Sequence, residues 1–249
     1  EWATAKVQNG YHTVFGEWAE KDIVNLVRHF RNNPSVVMWC IGNEVPDQWA
    51  GDKGPKLSLW LQNICHREDP TRPVTQGMDA PDAVVNNNMA AVMDVPGFNY
   101  RPFKYIENYK KLPQEIILGS ETASTISSRG VYKFPVVRRS MPKDDFIQHE
   151  DLPYCIGEFV WTGFDYLGEP TPYYSDWPSH SSLFGIIDLA GIPKDRYYLY
   201  RSHWNKDVET LHILPHWNWE GREGEVTPVF VYTNYPTAEL FINGKSQGK

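Results

Sequence analysis

The sequence predicts an α/β protein, part of a (β/α)8 barrel running into a β-sandwich. Three observations carry this. Short apolar runs rich in β-branched residues alternate with segments of helical period, no glycine-rich phosphate turn accompanies them, and the pattern changes after about Lys206 to short strands and turns. Parallel strands buried on both faces read as near-continuous apolar runs, and without a dinucleotide fingerprint such strands fit a barrel better than a doubly wound sheet.

A helix is expected near Glu20–Arg31, with Ile23, Leu26, Val27 and Phe30 at helical spacing and Asn33-Pro34 ending it. The run Ser35–Gly42 is too short for a helix and is expected as a strand buried on both faces. Leu57, Trp60, Leu61 and Ile64 form the stripe of a second helix, which stops before Asp69-Pro70 and leads to a short strand at Val74-Thr75. Val95–Tyr100 is a third strand, Phe103–Leu112 a helix, and Glu115–Ser120 a fourth strand. A long polar insertion follows, then a fifth strand at Tyr154–Trp161 and a helix near Asp195–Asn205. Beyond it, Leu211–Leu214, Val229–Tyr232 and Ala238–Ile242 read as short strands, and Asn243-Gly244 is a hairpin turn signal because both residues tolerate positive φ. The expected division is therefore residues 1–205 as barrel and 206–249 as the beginning of a β-sandwich.

A chain of 249 residues accommodates one large domain or one domain and a piece of another. The net charge of -7 argues against a broad nucleic-acid or anionic-membrane surface. No apolar run reaches the ~18 residues of a membrane span, and the start, Glu1-Trp2-Ala3, carries no basic segment or apolar core of an export signal. Cys40, Cys65 and Cys155 are too few for a disulfide framework, and two lie in apolar segments where a buried free thiol is expected. No CxxC, HExxH, Walker loop or GxGxxG occurs, so neither a metal nor a nucleotide cofactor is expected. The 10 Trp and 14 Tyr suit a carbohydrate site, where flat sugar faces stack on rings, but on composition alone core packing explains them better.

Barrel chemistry is carried where strands end at the C-terminal face. Two of the apolar strands end on a glutamate, as Ile41-Gly42-Asn43-Glu44 and Leu118-Gly119-Ser120-Glu121. A single such carboxylate is usually a solvated loop residue or a salt-bridge partner. Two of them, 77 positions apart on separate strands, form the pair that glycoside hydrolysis requires: one to protonate the leaving oxygen, one to attack or to activate water.

The segment Asn33–Glu44, ending Trp39-Cys40-Ile41-Gly42-Asn43-Glu44, resembles the fourth-strand signature of glycoside hydrolase family 2. Ser120-Glu121-Thr122-Ala123-Ser124 resembles the family's seventh-strand segment, and Gly157–Glu169 its eighth strand and following loop. The resemblance covers most of residues 1–205, and the tail is similar to the immunoglobulin-like domain that follows the barrel in many members. It implies barrel strands four to eight, with strands one to three and the preceding sugar-binding and immunoglobulin-like domains as missing partners of this chain. It further implies Glu44 as general acid/base, Glu121 as nucleophile and Asn43 as a donor or acceptor to the sugar 2-hydroxyl. Tyr100 would bond to the nucleophile, Trp161 would wall the sugar pocket, and Asp165 and Glu169 would bind sugar hydroxyls or hold the loop, the second role placed first.

In such a reaction Glu44 must begin protonated, raised by burial and by the neighbouring negative charge, whereas Glu121 must stay ionised with help from Tyr100. The loop Gly163–Tyr173 is most similar to bacterial β-galactosidase-like members. A retaining hydrolase of terminal β-linked galactose is therefore the leading expectation, with no cofactor. A β-glucuronidase or β-mannosidase specificity and a catalytically incompetent carbohydrate-binding fragment are the alternatives. Family members acting on external polysaccharides suggest a secreted or periplasmic setting.

Overall fold

The computed structural model describes residues 1–122, 152–168 and 180–249, which fall into two compact units. Glu169, the rest of the loop to Tyr173, and Ala123-Ser124 lie outside the described residues.

In the first unit, five strands form one sheet: β1 (Trp39–Asn43), β2 (Val74–Met78), β3 (Val95–Asn99), β4 (Ile117–Thr122) and β5 (Cys155–Val160). Every neighbouring pair is parallel and the spatial order follows the chain order, β1-β2-β3-β4-β5. A doubly wound sheet reverses its strand order at a switch point, while a barrel wall does not. All five C-terminal ends lie on one edge, so Glu44, Asp79, Tyr100 and Glu121 emerge together.

Helices α1 (Phe15–Phe30) and α2 (Lys53–Glu68) pack against each other in this unit. In α1, Phe15, Ala19, Ile23 and Val27 recur every four residues and meet the core. Leu26 and Phe30, expected on the same stripe, lie one position off it and are 44% and 42% exposed. In α2, Leu61, Ile64 and Cys65 are buried, and Trp60 meets Phe15 edge-on at 6.0 Å. A short helix, α3 (Pro81–Asn86), follows β2. The helix expected over Phe103–Leu112 is broken into a 3-10 turn at Pro102–Lys104, α4 (Tyr105–Asn108), and a second 3-10 turn at Tyr109–Lys111.

Strands β2 and β3 are buried at every residue, as expected of strands covered on both faces. β1 departs from that expectation. Trp39 and Ile41 face the core while Cys40, on the opposite face of this outer strand, is exposed, so the buried thiol expected there is not found. Cys65 does have one, and burial pushes its thiol up to about 12. β1 also begins four residues later than expected. The carbonyl of Val36 accepts from Arg72 Nε at 2.6 Å, which takes it out of the ladder. Asp69 anchors the same corner: it accepts from Thr71, Arg72 Nη1 (2.6 Å) and Trp39 Nε1 (3.1 Å), and these donors hold its carboxyl well below the usual range. Near the other end of β1, buried Trp2 donates its indole N–H to Ile41 O at 3.0 Å and lies over Gly42.

The second unit contains the short antiparallel pair β6 (Tyr166–Leu167) and β7 (Ser181–Ser182), the helix α5 (Asp195–Trp204), and the antiparallel pair β8 (Leu211–Leu214) and β9 (Phe230–Thr233). α5 packs on β8 and β9, with Tyr198 stacked on His212 at 4.0 Å and His212 Nε2 2.7 Å from Asp195 Oδ1. The expected turn at Asn243-Gly244 joins β10 (Phe241–Ile242) to β11 (Lys245–Ser246), with φ of 48° and 77° at the two turn residues. Among the described residues, no helix is long and apolar enough to cross a membrane.

Candidate active site

Parallel pairing puts Asn43 opposite Gly77 and Asn99 opposite Glu121, so the ends of β1 to β4 share one small region. Glu44 follows β1 and is held by its own N–H, which donates to Gly77 O at 2.9 Å. Tyr100 follows β3, and its N–H donates to Glu121 O at 2.6 Å. Glu44, Tyr100 and Arg101 all adopt left-handed backbone, with φ of 45°, 59° and 51°. Non-glycine residues reach that region at a cost of order 1–3 kcal/mol each and keep it where surrounding contacts over-determine them, often at functional sites.

The two glutamates are linked through amides. Asn99 Nδ2 donates to Glu44 Oε1 and to Asn43 Oδ1, both at 2.9 Å. Asn43 Nδ2 in turn lies 3.4 Å from Glu121 Oε1. The Tyr100 hydroxyl donates to the other oxygen of Glu121, Oε2. Ser120 Oγ closes the arrangement by donating to Asn99 Oδ1 at 2.8 Å. Beside it, Gln48 fixes the end of β2, donating to Asp79 Oδ1 at 2.9 Å and accepting the Asp79 N–H at 3.0 Å. Thr122 Oγ1 donates to Glu158 Oε2 at 2.6 Å.

Glu121 is 9% exposed. Burial raises its pKa above the ordinary carboxylate value, the Tyr100 hydroxyl and the Asn43 amide pull it down, and the charges of Glu44 and Asp79 push it up again. The sequence led us to expect an environment that holds Glu121 down. The tyrosine expected to do so is in place, but desolvation outweighs it. Lys6 approaches Glu44 from the solvent side, its Nζ 3.3 Å from the backbone oxygen and 4.0 Å from Oε2. Among the described residues no group of His, Cys, Asp and Glu could hold a metal ion. Such a site can deliver a proton from one carboxyl group and present the other as a nucleophile, with amides and a phenol to redistribute charge between them.

Glu44, Asn43, Tyr100 and Glu121 are thus brought together in the first unit. Trp161 and Asp165 belong to the second. Trp161 is 36% exposed and stands edge-on to Tyr166 at 6.0 Å. Asp165 is buried, and its Oδ1 accepts from Lys194 Nζ at 2.7 Å and from the Gly185 N–H at 2.8 Å. Asn99, Ser120 and Gly77 were missed as site residues. For Asn99 a signal existed: a polar amide one residue before Tyr100, at the end of an apolar strand, as Asn43 is.

The family model for the TIM barrel domain of glycosyl hydrolases family 2 matches residues 8–188. The chain belongs to glycoside hydrolase family 2. A further model, a domain of unknown function (DUF4982), matches residues 224–249. Within the family, the chain is 36% identical to Beta-galactosidase BoGH2A of Bacteroides ovatus, over 99% of this chain and 36% of that protein. It is 29% identical to a putative beta-glucuronidase of Formosa agariphila, over 94% of this chain and 26% of that one. Among solved structures, a glycosyl hydrolase family 2 member from Bacteroides cellulosilyticus superposes with a TM-score of 0.78 at 28% identity, covering 99% of this chain and 34% of its own. The chain therefore spans between about a quarter and about a third of the length of these relatives.

Proposed function

We propose that the protein is a retaining glycoside hydrolase of β-galactosidase type, with Glu121 as nucleophile and Glu44 as general acid/base. The observation that carries this reading is the pair of strand-end glutamates joined through Asn43 and Asn99, with the Tyr100 hydroxyl on Glu121. In the first step Glu121 attacks the anomeric carbon while Glu44 protonates the leaving oxygen. In the second step Glu44, now a carboxylate, takes a proton from water as that water displaces Glu121 from the anomeric carbon. Asn43 bonds the sugar 2-hydroxyl, Trp161 walls the sugar pocket, and Asp165 acts by holding the segment that bears Trp161.

In this reading β1 to β5 are strands four to eight of the barrel, with residues 1–205 as barrel and 206–249 as the start of an immunoglobulin-like β-sandwich. The barrel is completed by three further strands, which add substrate contacts of their own. Galactose specificity is supported by the similarity to BoGH2A at 36% identity. A glucuronide specificity is the second reading, favoured by the relative at 29%.

The test is to assay the full-length protein on 4-nitrophenyl β-galactoside, β-glucuronide and β-mannoside, following the anomeric configuration of the first-formed product. We expect β-galactoside turnover with retention. Inversion would overturn the mechanism, turnover of glucuronide alone would overturn the specificity, and no turnover of any would favour a binding protein.

A further inference from the structure

We propose that Asn99 is a positioning residue that selects which oxygen of Glu44 carries the acidic proton and which way the Asn43 amide faces. This inference rests on the two-glutamate reading above.

Asn99 is fully buried, and each of its amide atoms has a defined partner. Its two N–H bonds go to Asn43 Oδ1 and Glu44 Oε1, each at 2.9 Å, and its Oδ1 receives the Ser120 hydroxyl at 2.8 Å. Turning the amide over would set Asn99 Oδ1 against two acceptor oxygens, so those acceptors decide the orientation, and the Ser120 hydroxyl, able to donate or accept, donates to the Oδ1 so presented.

Two consequences follow for the reaction. A carboxylic acid whose Oε1 accepts an N–H bond carries its proton on the other oxygen. The proton that Glu44 gives to the leaving group, and later takes from water, therefore resides on Oε2. Asn43, with its Oδ1 occupied by Asn99, must turn its own NH2 toward Glu121, where it sits 3.4 Å from Oε1. That contact is long enough to be weak, so the NH2 can shift to a sugar hydroxyl without losing a strong bond.

The backbone leaves room for this arrangement. A Cβ at Gly77 would lie 2.3 Å from Asn43 Oδ1 and 2.9 Å from Asn99 Oδ1, and one at Gly97 would lie 2.8 Å from Ser120 Oγ. Glycines on the neighbouring strands β2 and β3 thus clear the space in which the three polar side chains meet.

A mere cross-strand brace would make the same bonds, so the test must read proton delivery. Asn99→Asp keeps the shape but replaces the donor with an acceptor, drawing the Glu44 proton to Oε1 and away from the leaving group. Ser120→Ala removes the hydroxyl that tethers the Asn99 amide oxygen and leaves no large void. Both variants, with Glu44→Gln as reference, are measured in the full-length protein on methyl β-galactoside, which needs protonation, and on 2,4-dinitrophenyl β-galactoside, which does not.

For Asn99→Asp we expect kcat/KM to fall ~10²-fold on the methyl glycoside and less than about fivefold on the dinitrophenyl one. For Ser120→Ala we expect a fall of about fivefold on the methyl glycoside alone, with the thermal midpoint close to that of the parent. Equal losses on both substrates, or none, overturn the assignment. Should Asn99→Asp fail to fold, the split in Ser120→Ala decides by the same criterion. The same pair of leaving groups is carried on the glucuronide or mannoside if the parent turns over one of those instead. If Glu44→Gln shows no split, or the parent hydrolyses none of the three glycosides, the two-glutamate reading fails and this inference with it. A split in Glu44→Gln without one in the other two overturns only the role of Asn99.

Discussion

Two buried carboxylates in this chain have opposite environments. Asp165 is 5% exposed and sits against Lys194, itself 1% exposed, at 2.7 Å, with the Gly185 amide as a second donor. Glu121 is 9% exposed, and among the described residues its carboxylate meets only a phenol and an amide, with no cation in ion-pair range, while Glu44 and Asp79 add negative charge nearby. A buried cation and a backbone donor make Asp165 an anchor. The segment after β5 lies along residues 184–187, with Thr162 N donating to Phe184 O at 3.2 Å and Asp165 N to Ile187 O at 2.9 Å, and the ion pair locks that contact. Partial compensation leaves Glu121 costly to ionise and therefore reactive, which suits a group that must form and lose a bond. In the proposed mechanism, stability and chemistry fall to different carboxylates.

Breaking the comparison at its reactive end gives the largest effect. Glu121→Gln should lower kcat by ~10⁵-fold, as removal of a nucleophile does. The same change should raise the thermal midpoint at pH 7. The folded-state pKa of Glu121 is raised above its unfolded value, so the native state is more stable with this group neutral and loses stability as pH rises through that value. A midpoint below that of the parent would show that Glu121 is compensated after all.

Glu44→Gln should cost ~10²–10⁴-fold on alkyl glycosides and far less on substrates with very good leaving groups. Equal loss on both would remove Glu44 from the acid role. At the anchored end the sign of the stability effect reverses. Lys194→Met leaves Asp165 buried without its cation and should cost about 3–5 kcal/mol in denaturant unfolding. A loss under about 1 kcal/mol would mean that the pair is not what holds the segment.

The smallest change sharpens the contrast at Glu121. Tyr100→Phe removes a donor that lowers its pKa, so kcat/KM should fall by about 10–100-fold and the acid limb of its pH profile should move to higher pH. An acid limb that stays in place would show that the hydroxyl does not act on the ionised form.

The elements legible in the sequence were those with one strong local signal. Asn243-Gly244 specifies its hairpin because both residues tolerate positive φ, and the apolar runs of β3 and β4 announce strands covered on both faces. Where local signals compete, tertiary contacts decide. Val36 has strand character, yet its carbonyl goes to Arg72, and β1 starts only at Trp39. The stretch from Pro102 to Lys111 has helical spacing, but its hydrogen bonds tighten into 3-10 turns at both ends. α3 is only six residues and offers too little periodicity to detect.

The two glutamates were legible because a charged residue ending an apolar strand demands an explanation. Asn99 carried only the signal of a strand-end amide and Ser120 none, since their significance lies in a register that pairs Asn43 with Gly77 and Asn99 with Glu121. The electrostatic balance was equally hidden. Tyr100 could be named in advance, but the extent of burial that overrides it could not be read from neighbours in sequence.

The most direct test is to trap the intermediate in the full-length protein with a 2-deoxy-2-fluoro-β-galactosyl fluoride and map the labelled residue by peptide mass spectrometry. A covalent glycosyl group on Glu121, absent from Glu121→Gln, is the predicted result. Labelling of any other residue, or steady turnover of galactosides with no covalent label at all, would contradict Glu121 as the nucleophile.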